Sequence, residues 1–189
     1  MPTHSSLQRK PFWAPVGLAG GAVVAAALVM ALLGWLSVTA KSTTVIVVRD
    51  AETATDGGAA EAPLSPAGRA RAELLARMFG GAGPKERVDA IYVSATLATQ
   101  ATALPLAERL GIKPLVIAPG TPRALARRVL REHRGGRILV VTGADRARDL
   151  IAELSGVSDI PSILPAEFGT LYIVTVPRIG RANLLGVDY

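Results

Sequence analysis

The run Val45-Ile46-Val47-Val48 passes directly into Arg49-Asp50-Ala51-Glu52. Four consecutive β-branched residues predict a strand buried on both faces, as in a parallel sheet. Open α/β sheets take ligands just beyond the carboxyl ends of their strands. Arg49, Asp50 and Glu52 therefore stand where a site would lie. Other chemistry is scarce. Cysteine is absent, which excludes disulfides and thiol reactions. The two histidines, His4 and His133, are too few and too far apart for a His-based metal site. His133 ends an Arg-rich helical stretch, and a surface position is expected for it.

The elements that must hold these residues alternate. Thr43–Val48 is the first strand, followed by a loop, Ala51–Ala62, with Asp56-Gly57-Gly58 as a turn signal. Ser65-Pro66 opens a helix that Gly80-Gly81 ends. Val88–Val93 is a second strand, and Ser94 is the expected cap of a helix reaching Leu110, with Gly111 after it. Leu115–Ala118, a helix after Pro122, the strand Arg137–Val141 and a helix over Asp145–Leu154 follow. Thr170–Val176 and Asn183–Val187 read as a terminal hairpin. Strands alternating with helices predict a three-layer α/β/α sandwich with a mostly parallel sheet. Arg123, Arg127, Arg131 and Arg134 share one helix face, read as a solvated face, with a lipid or anion patch as its rival.

Ahead of this domain there is no charge between Lys10 and Lys41, and Val16–Leu36 is almost wholly apolar. About 20 such residues cross a bilayer core. Trp13 and Trp35 would lie about 33 Å apart along a helix, near the spacing of the two interfacial belts. The expected organisation is a short cytoplasmic N-terminus over 1–13, a transmembrane helix acting as signal anchor over 14–40, and a domain over 41–189. Arg9 and Lys10 precede the segment, so the positive-inside rule puts the domain on the extracytoplasmic, periplasmic side of the inner membrane. A rival reading makes Val38-Thr39-Ala40 a signal-peptidase site. Gly17 and Gly21 have the spacing of a helix-dimer contact, so a homodimer is an open expectation. Lys and Arg total 21 against 15 Asp and Glu. With Arg9 and Lys10 set aside the balance is 19 to 15, too mild for a nucleic-acid partner without aromatic or motif support.

Four stretches in order resemble the histidine phosphatase (phosphoglycerate mutase-like) superfamily, small-domain type. Val47–Glu52 is similar to its strand followed by Arg-His-Ala-Glu. Leu64-Ser65-Pro66-Ala67-Gly68 is similar to its leucine-(Ser/Thr)-x-x-Gly helix start. Ile91–Ser94 with Thr99-Gln100-Ala101-Thr102-Ala103 is similar to its second strand and Ser…Arg-(Ala/Thr)-x-Gln-Thr-Ala element, with the glutamine one place early. Ile138–Val141 is similar to the strand that ends in Gly-His. The resemblance also implies departures. The phosphorus-attacking histidine aligns with Asp50, a second phosphate-holding arginine with Ala98, and a second histidine with Gly143. Of that four-residue pocket Arg49 remains.

A neutral imidazole attacks an anionic phosphate without adding negative charge. Asp50 would bring a carboxylate to a dianion, and an Asp nucleophile needs a metal to offset that repulsion. Loss of one electrostatic donor alone costs roughly 10²–10³ in rate. The family topology would bring Asp50, Glu52 and Asp145 together, which would allow oxygen ligation of Mg²⁺ or Ca²⁺. The competing reading is solvated loop carboxylates, with Asp50 paired to Arg146 or Arg148. Three functions follow. The preferred one is a membrane-anchored, non-catalytic binding or interaction module with no cofactor. Its ligand, an anionic small molecule or a protein, would meet Arg49, Asp50 and Asp145. The others are an Asp-based, metal-dependent phosphohydrolase and a structural part of an envelope complex.

Overall fold

The structure is a computed structural model. It describes residues 14–39, 41–54, 62–81, 83, 87–118, 120–157, 160 and 168–189. The chain forms two compact units, Met1–Thr39 and Ala40–Tyr189. The first contains α1 (Ala14–Thr39), 26 residues long. Its side chains are described at 21 and 23–34, where Val23, Leu28, Met30 and Leu33 are exposed. Among the described residues no helix is long and apolar enough to cross a membrane. Trp13 and the tail before it lie outside the described residues, as does the turn at Asp56-Gly57-Gly58.

In the second unit, β1 (Thr43–Arg49), α2 (Pro66–Phe79), β2 (Ala90–Val93), α3 (Leu97–Leu110) and β3 (Leu115–Val116) come first. Then follow α4 (Pro122–Glu132), β4 (Arg137–Thr142), α5 (Ala144–Ser155), β5 (Thr170–Val176) and β6 (Asn183–Asp188). The sheet order is β3-β2-β4-β1-β5-β6. The first four are mutually parallel, with Arg49 opposite Thr142 and Val93 opposite Val141. β5 runs antiparallel to β1 and carries β6 as its hairpin partner. The predicted order of elements and the mostly parallel sheet are thus present.

The unbroken apolar runs have a direct cause. Val45, Val47, Ile138 and Val140 point to one face and pack with Leu125 and Val129 of α4 and Leu150 and Ile151 of α5. Ile46, Val48, Leu139 and Val141 point to the other face and meet Leu75 and Phe79 of α2 and Ala103 and Leu106 of α3. A strand covered on both faces needs both its side-chain rows apolar. Each such burial is worth roughly 1.5–3 kcal/mol against exposure.

Ser65 caps α2 as its sequence implies, its Oγ accepting from Gly68 N–H at 3.0 Å, with Pro66 in the first turn. The cap of α3 differs from expectation. Thr96, not Ser94, precedes the helix and accepts from Thr99 N–H. Ser94 instead spends its hydroxyl on Thr142 at the end of the neighbouring strand, 2.7 Å away. β2 and β3 are also shorter than predicted, at Ala90–Val93 and Leu115–Val116. His133 is half-buried rather than on the surface, with Nε2 2.9 Å from the Tyr92 hydroxyl and the two rings edge to face at 5.6 Å. Arg123, Arg127, Arg131 and Arg134 are exposed, which a solvated face and a lipid or anion patch both require.

Candidate functional site

The parallel strands β1, β4 and β2 end together, and a cleft of about 520 Å³ opens there. Asp50 and Asp145 face it, with Ser94, Thr142, Gly143 and Arg146. Asp50 is placed by its backbone, whose N–H donates to Thr142 O at 3.1 Å and so extends the β1–β4 ladder by one step. Gly143 occupies the cap position of α5 with φ −64° and ψ 157°, and makes no side-chain cap bond. The N-terminus of α5 lines the cleft through Gly143, Ala144, Asp145 and Arg146.

Burial pushes the Asp50 carboxyl above its ordinary value, against the opposing influence of Arg49 and a backbone hydrogen bond. Arg49 Nε lies 3.8 Å from Asp50 Oδ1, an ion pair longer than a hydrogen bond. The guanidinium instead covers the Phe168 ring, with Cζ 3.9 Å from the ring centroid, a cation–π geometry. Burial lowers the Arg49 pKa, with Asp50 and Glu52 opposing. Arg49 is not among the residues lining the cleft.

Glu52 does not join Asp50 and Asp145. It turns to Arg71 on α2, which donates from Nη2 at 2.7 Å and from Nε to both carboxylate oxygens. The candidate three-carboxylate set is therefore not assembled, and among the described residues no group of three His, Cys, Asp or Glu side chains could hold a metal. Nor does Asp50 pair with Arg148, whose Nε donates to Ile160 O at 3.2 Å. The recorded ion partner is Arg49, while Arg146 lines the cleft.

Ala98 lies away from the cleft lining. It is 3 % exposed and packs with Ala51, Leu64 and Ala72 in a small apolar cluster. Thr102 fastens that cluster by accepting from Ala51 N–H at 3.0 Å and donating to Ala98 O at 2.7 Å. Of the four positions that the sequence resemblance pairs with a phosphate pocket, Asp50 and Gly143 line the cleft, and Arg49 and Ala98 do not. Sequence reasoning missed the buried Ser94–Thr142 hydroxyl pair, although each residue directly follows or ends an apolar strand. A smaller hollow of about 110 Å³ adjoins the cleft, sharing Ile117 and Arg146 and adding Arg128.

The chain matches the histidine phosphatase superfamily (branch 1) over residues 45–120. No curated protein matches it by sequence. Its fold is similar to the protein histidine phosphatase SixA complexed with tungstate, at 20% identity and a TM-score of 0.60, over 77% of this chain and 96% of that one. It is also similar to a mycobacterial glucosyl-3-phosphoglycerate phosphatase, at 16% identity and 0.57, over 76% and 97%. A phosphoserine phosphatase of Entamoeba histolytica, in complex with 3-phosphoglyceric acid, gives 16% identity and 0.57, over 78% and 97%. The strand-end cleft, the sheet order and these matches agree on one point: residues 45–120 match the histidine phosphatase superfamily (branch 1), and the domain has the fold of the solved phosphatases it is similar to.

Proposed function

We propose that this protein is a membrane-anchored, non-catalytic member of the histidine phosphatase superfamily that uses the strand-end cleft for binding or interaction. The observation that carries the reading is the cleft's lining. Asp50 stands where the resemblance places the nucleophilic histidine, Gly143 offers no side chain, and Arg49 is drawn onto Phe168. Asp50 and Asp145 face Arg146 alone among the lining cations, which suits a phosphoryl dianion poorly. Phosphoryl transfer depends on positioned charge, and the family's charge set is not assembled here.

The anchor rests on the sequence: an uncharged stretch from beyond Lys10 to Lys41, within which α1 forms. Its exposed Val23, Leu28, Met30 and Leu33 are side chains that a lipid environment would cover. The charge bias places the domain outside the cytoplasm, and Gly17 and Gly21 are the candidate contact of a helix dimer.

Release of phosphate from p-nitrophenyl phosphate and from a phosphohistidine peptide by the purified full chain tests the reading. No release above buffer is expected, with or without Mg²⁺. Hydrolysis that disappears in Asp50→Ala would replace it with the Asp-based phosphohydrolase.

A further inference from the structure

The end of the sheet opposite the cleft is built from four separate segments. Lys41 enters there, since Thr43 pairs with Val176 and Thr44 with Arg137. The α4–β4 turn lies against it: Gly135 N–H donates to Thr43 Oγ1 at 3.0 Å, and Lys41 packs on Gly135. The β5–β6 turn closes the same end, because Thr175 pairs with Asn183. Arg178 and Arg181 are exposed in that turn, and between them Ile179 is 88% exposed. Arg134 is exposed in the neighbouring turn. Asp89 lies at the same end, where its carboxylate accepts from the Arg137 N–H at 2.8 Å.

We infer that this end docks on an anionic lipid surface, with Arg178, Arg181, Arg134 and Lys41 at the headgroups and Ile179 entering the interface. The inference rests on the anchored reading for the source of that surface. Two things on the molecule select lipid over an acidic protein. Lys41 is two residues from the end of α1, so the chain itself delivers this end to whatever α1 inhabits. An isolated apolar tip flanked by arginines fits a headgroup–acyl boundary, where basic residues stay at the surface and the apolar side chain goes deeper. The acidic cleft would then open away from the membrane.

The chain has no cysteine, so Asn183→Cys and Asp188→Cys each give a single labelling site. They bracket β6, about 17 Å apart. In the full chain reconstituted into nanodiscs carrying a headgroup quencher, a fluorophore at 183 is expected to be quenched severalfold more than one at 188. The difference should require phosphatidylglycerol and vanish in Arg178→Glu/Arg181→Glu. Equal quenching, or quenching indifferent to lipid charge, overturns the inference. Residues 40–189 form a compact unit with their own core, which permits a second measurement. That fragment should sediment with phosphatidylglycerol vesicles and not with phosphatidylcholine alone, and the double reversal should weaken binding by roughly tenfold or more. A fragment that binds, from a full chain that alkaline carbonate strips from membranes, supports docking and removes the anchor. An embedded full chain with no vesicle binding by the fragment and no selective quenching keeps the anchor and removes docking.

Discussion

Arg71 Nη2 donates to Glu52 Oε1 across 2.7 Å, and Arg71 Nη1 donates to the main-chain oxygen of Tyr189 at 3.1 Å. One side chain of α2 thus ties the loop after β1 to the residue following β6. The bond from Arg71 is the first cause holding the Glu52 carboxyl below its ordinary range. A lowered folded-state pKa gives stability that is full above the unfolded value and lost as pH falls through the folded one. Arg71→Ala is expected to cost about 2 kcal/mol at pH 7, the scale of charge-assisted hydrogen bonds, and distinctly less at pH 3. Urea titrations at both values decide it, and an equal loss at the two would exclude the carboxylate as the source.

Asp50, two positions earlier, carries the opposite sign. Burial raises its pKa, so its contribution is fully present below the unfolded value of about 3.9 and is lost as pH rises through the folded one. Asp50→Asn should therefore stabilise the domain at pH 7, by about 1 kcal/mol at most, and do little at pH 3. Thermal melts of the two proteins at both pH values show this. A less stable Asp50→Asn at pH 7 would mean that the Arg49 pair outweighs desolvation.

Gly68 explains why the start of α2 takes a glycine. A Cβ at that position would run into the carbonyl oxygen of Glu52, which already accepts from Ser65 N–H at 2.8 Å. Gly68→Ala is expected to destabilise by about 2 kcal/mol, despite alanine's better helix propensity. Gly143→Ala, where the added Cβ meets open space, should change the melting temperature little.

The Tyr92 hydroxyl has two partners, Glu132 Oε2 at 3.0 Å and His133 Nε2 at 2.9 Å. An ionised carboxylate only accepts, so the hydroxyl proton goes to Glu132 and His133 Nε2 must donate. Burial, then the bond to Glu132, pushes the tyrosine pKa up to about 12. Imidazole ¹⁵N shifts should show a proton on Nε2 at pH 8, and Tyr92→Phe should cost about 1 kcal/mol. A bare Nε2 in the wild type would reverse the direction of the chain.

The histidines and the arginine that the sequence resemblance pairs with Asp50, Gly143 and Ala98 can be introduced there. Asp50→His/Gly143→His places both imidazoles at a cleft with room for them, and should fold. Without a second arginine and with Arg49 on Phe168, it should still release no phosphate from p-nitrophenyl phosphate above buffer. Ala98→Arg puts a guanidinium into the Ala51–Leu64–Ala72 cluster and should destabilise by about 2 kcal/mol or more. A folded double variant that turns over would show that the cleft kept its geometry and lost only side chains.

Much of the fold was legible because the strands that matter are apolar on both rows, and the caps at Ser65 and Gly111 sit beside them. The α3 cap was misplaced because Ser94 and Thr96 have similar local chemistry. A tertiary bond to Thr142 decided between them. Asp50 and Asp145 could be placed at one cleft from topology alone. The direction of Arg49 could not, since Phe168 comes from a stretch with no periodic pattern. Glu52 was lost to Arg71, a helix residue whose reach depends on how closely Gly68 lets α2 approach. The Ala98 cluster is mostly alanine, which leaves no hydrophobic period to read.

The central strand also sets a timetable. Val45 is made well before either of its neighbours, Ile138 on one side and Val174 on the other. Until both emerge, a strand apolar on both rows has no partner. β5 must therefore be made before the core closes, and a chain arrested before β5 would be a substrate for chaperones or proteases rather than a smaller version of the fold.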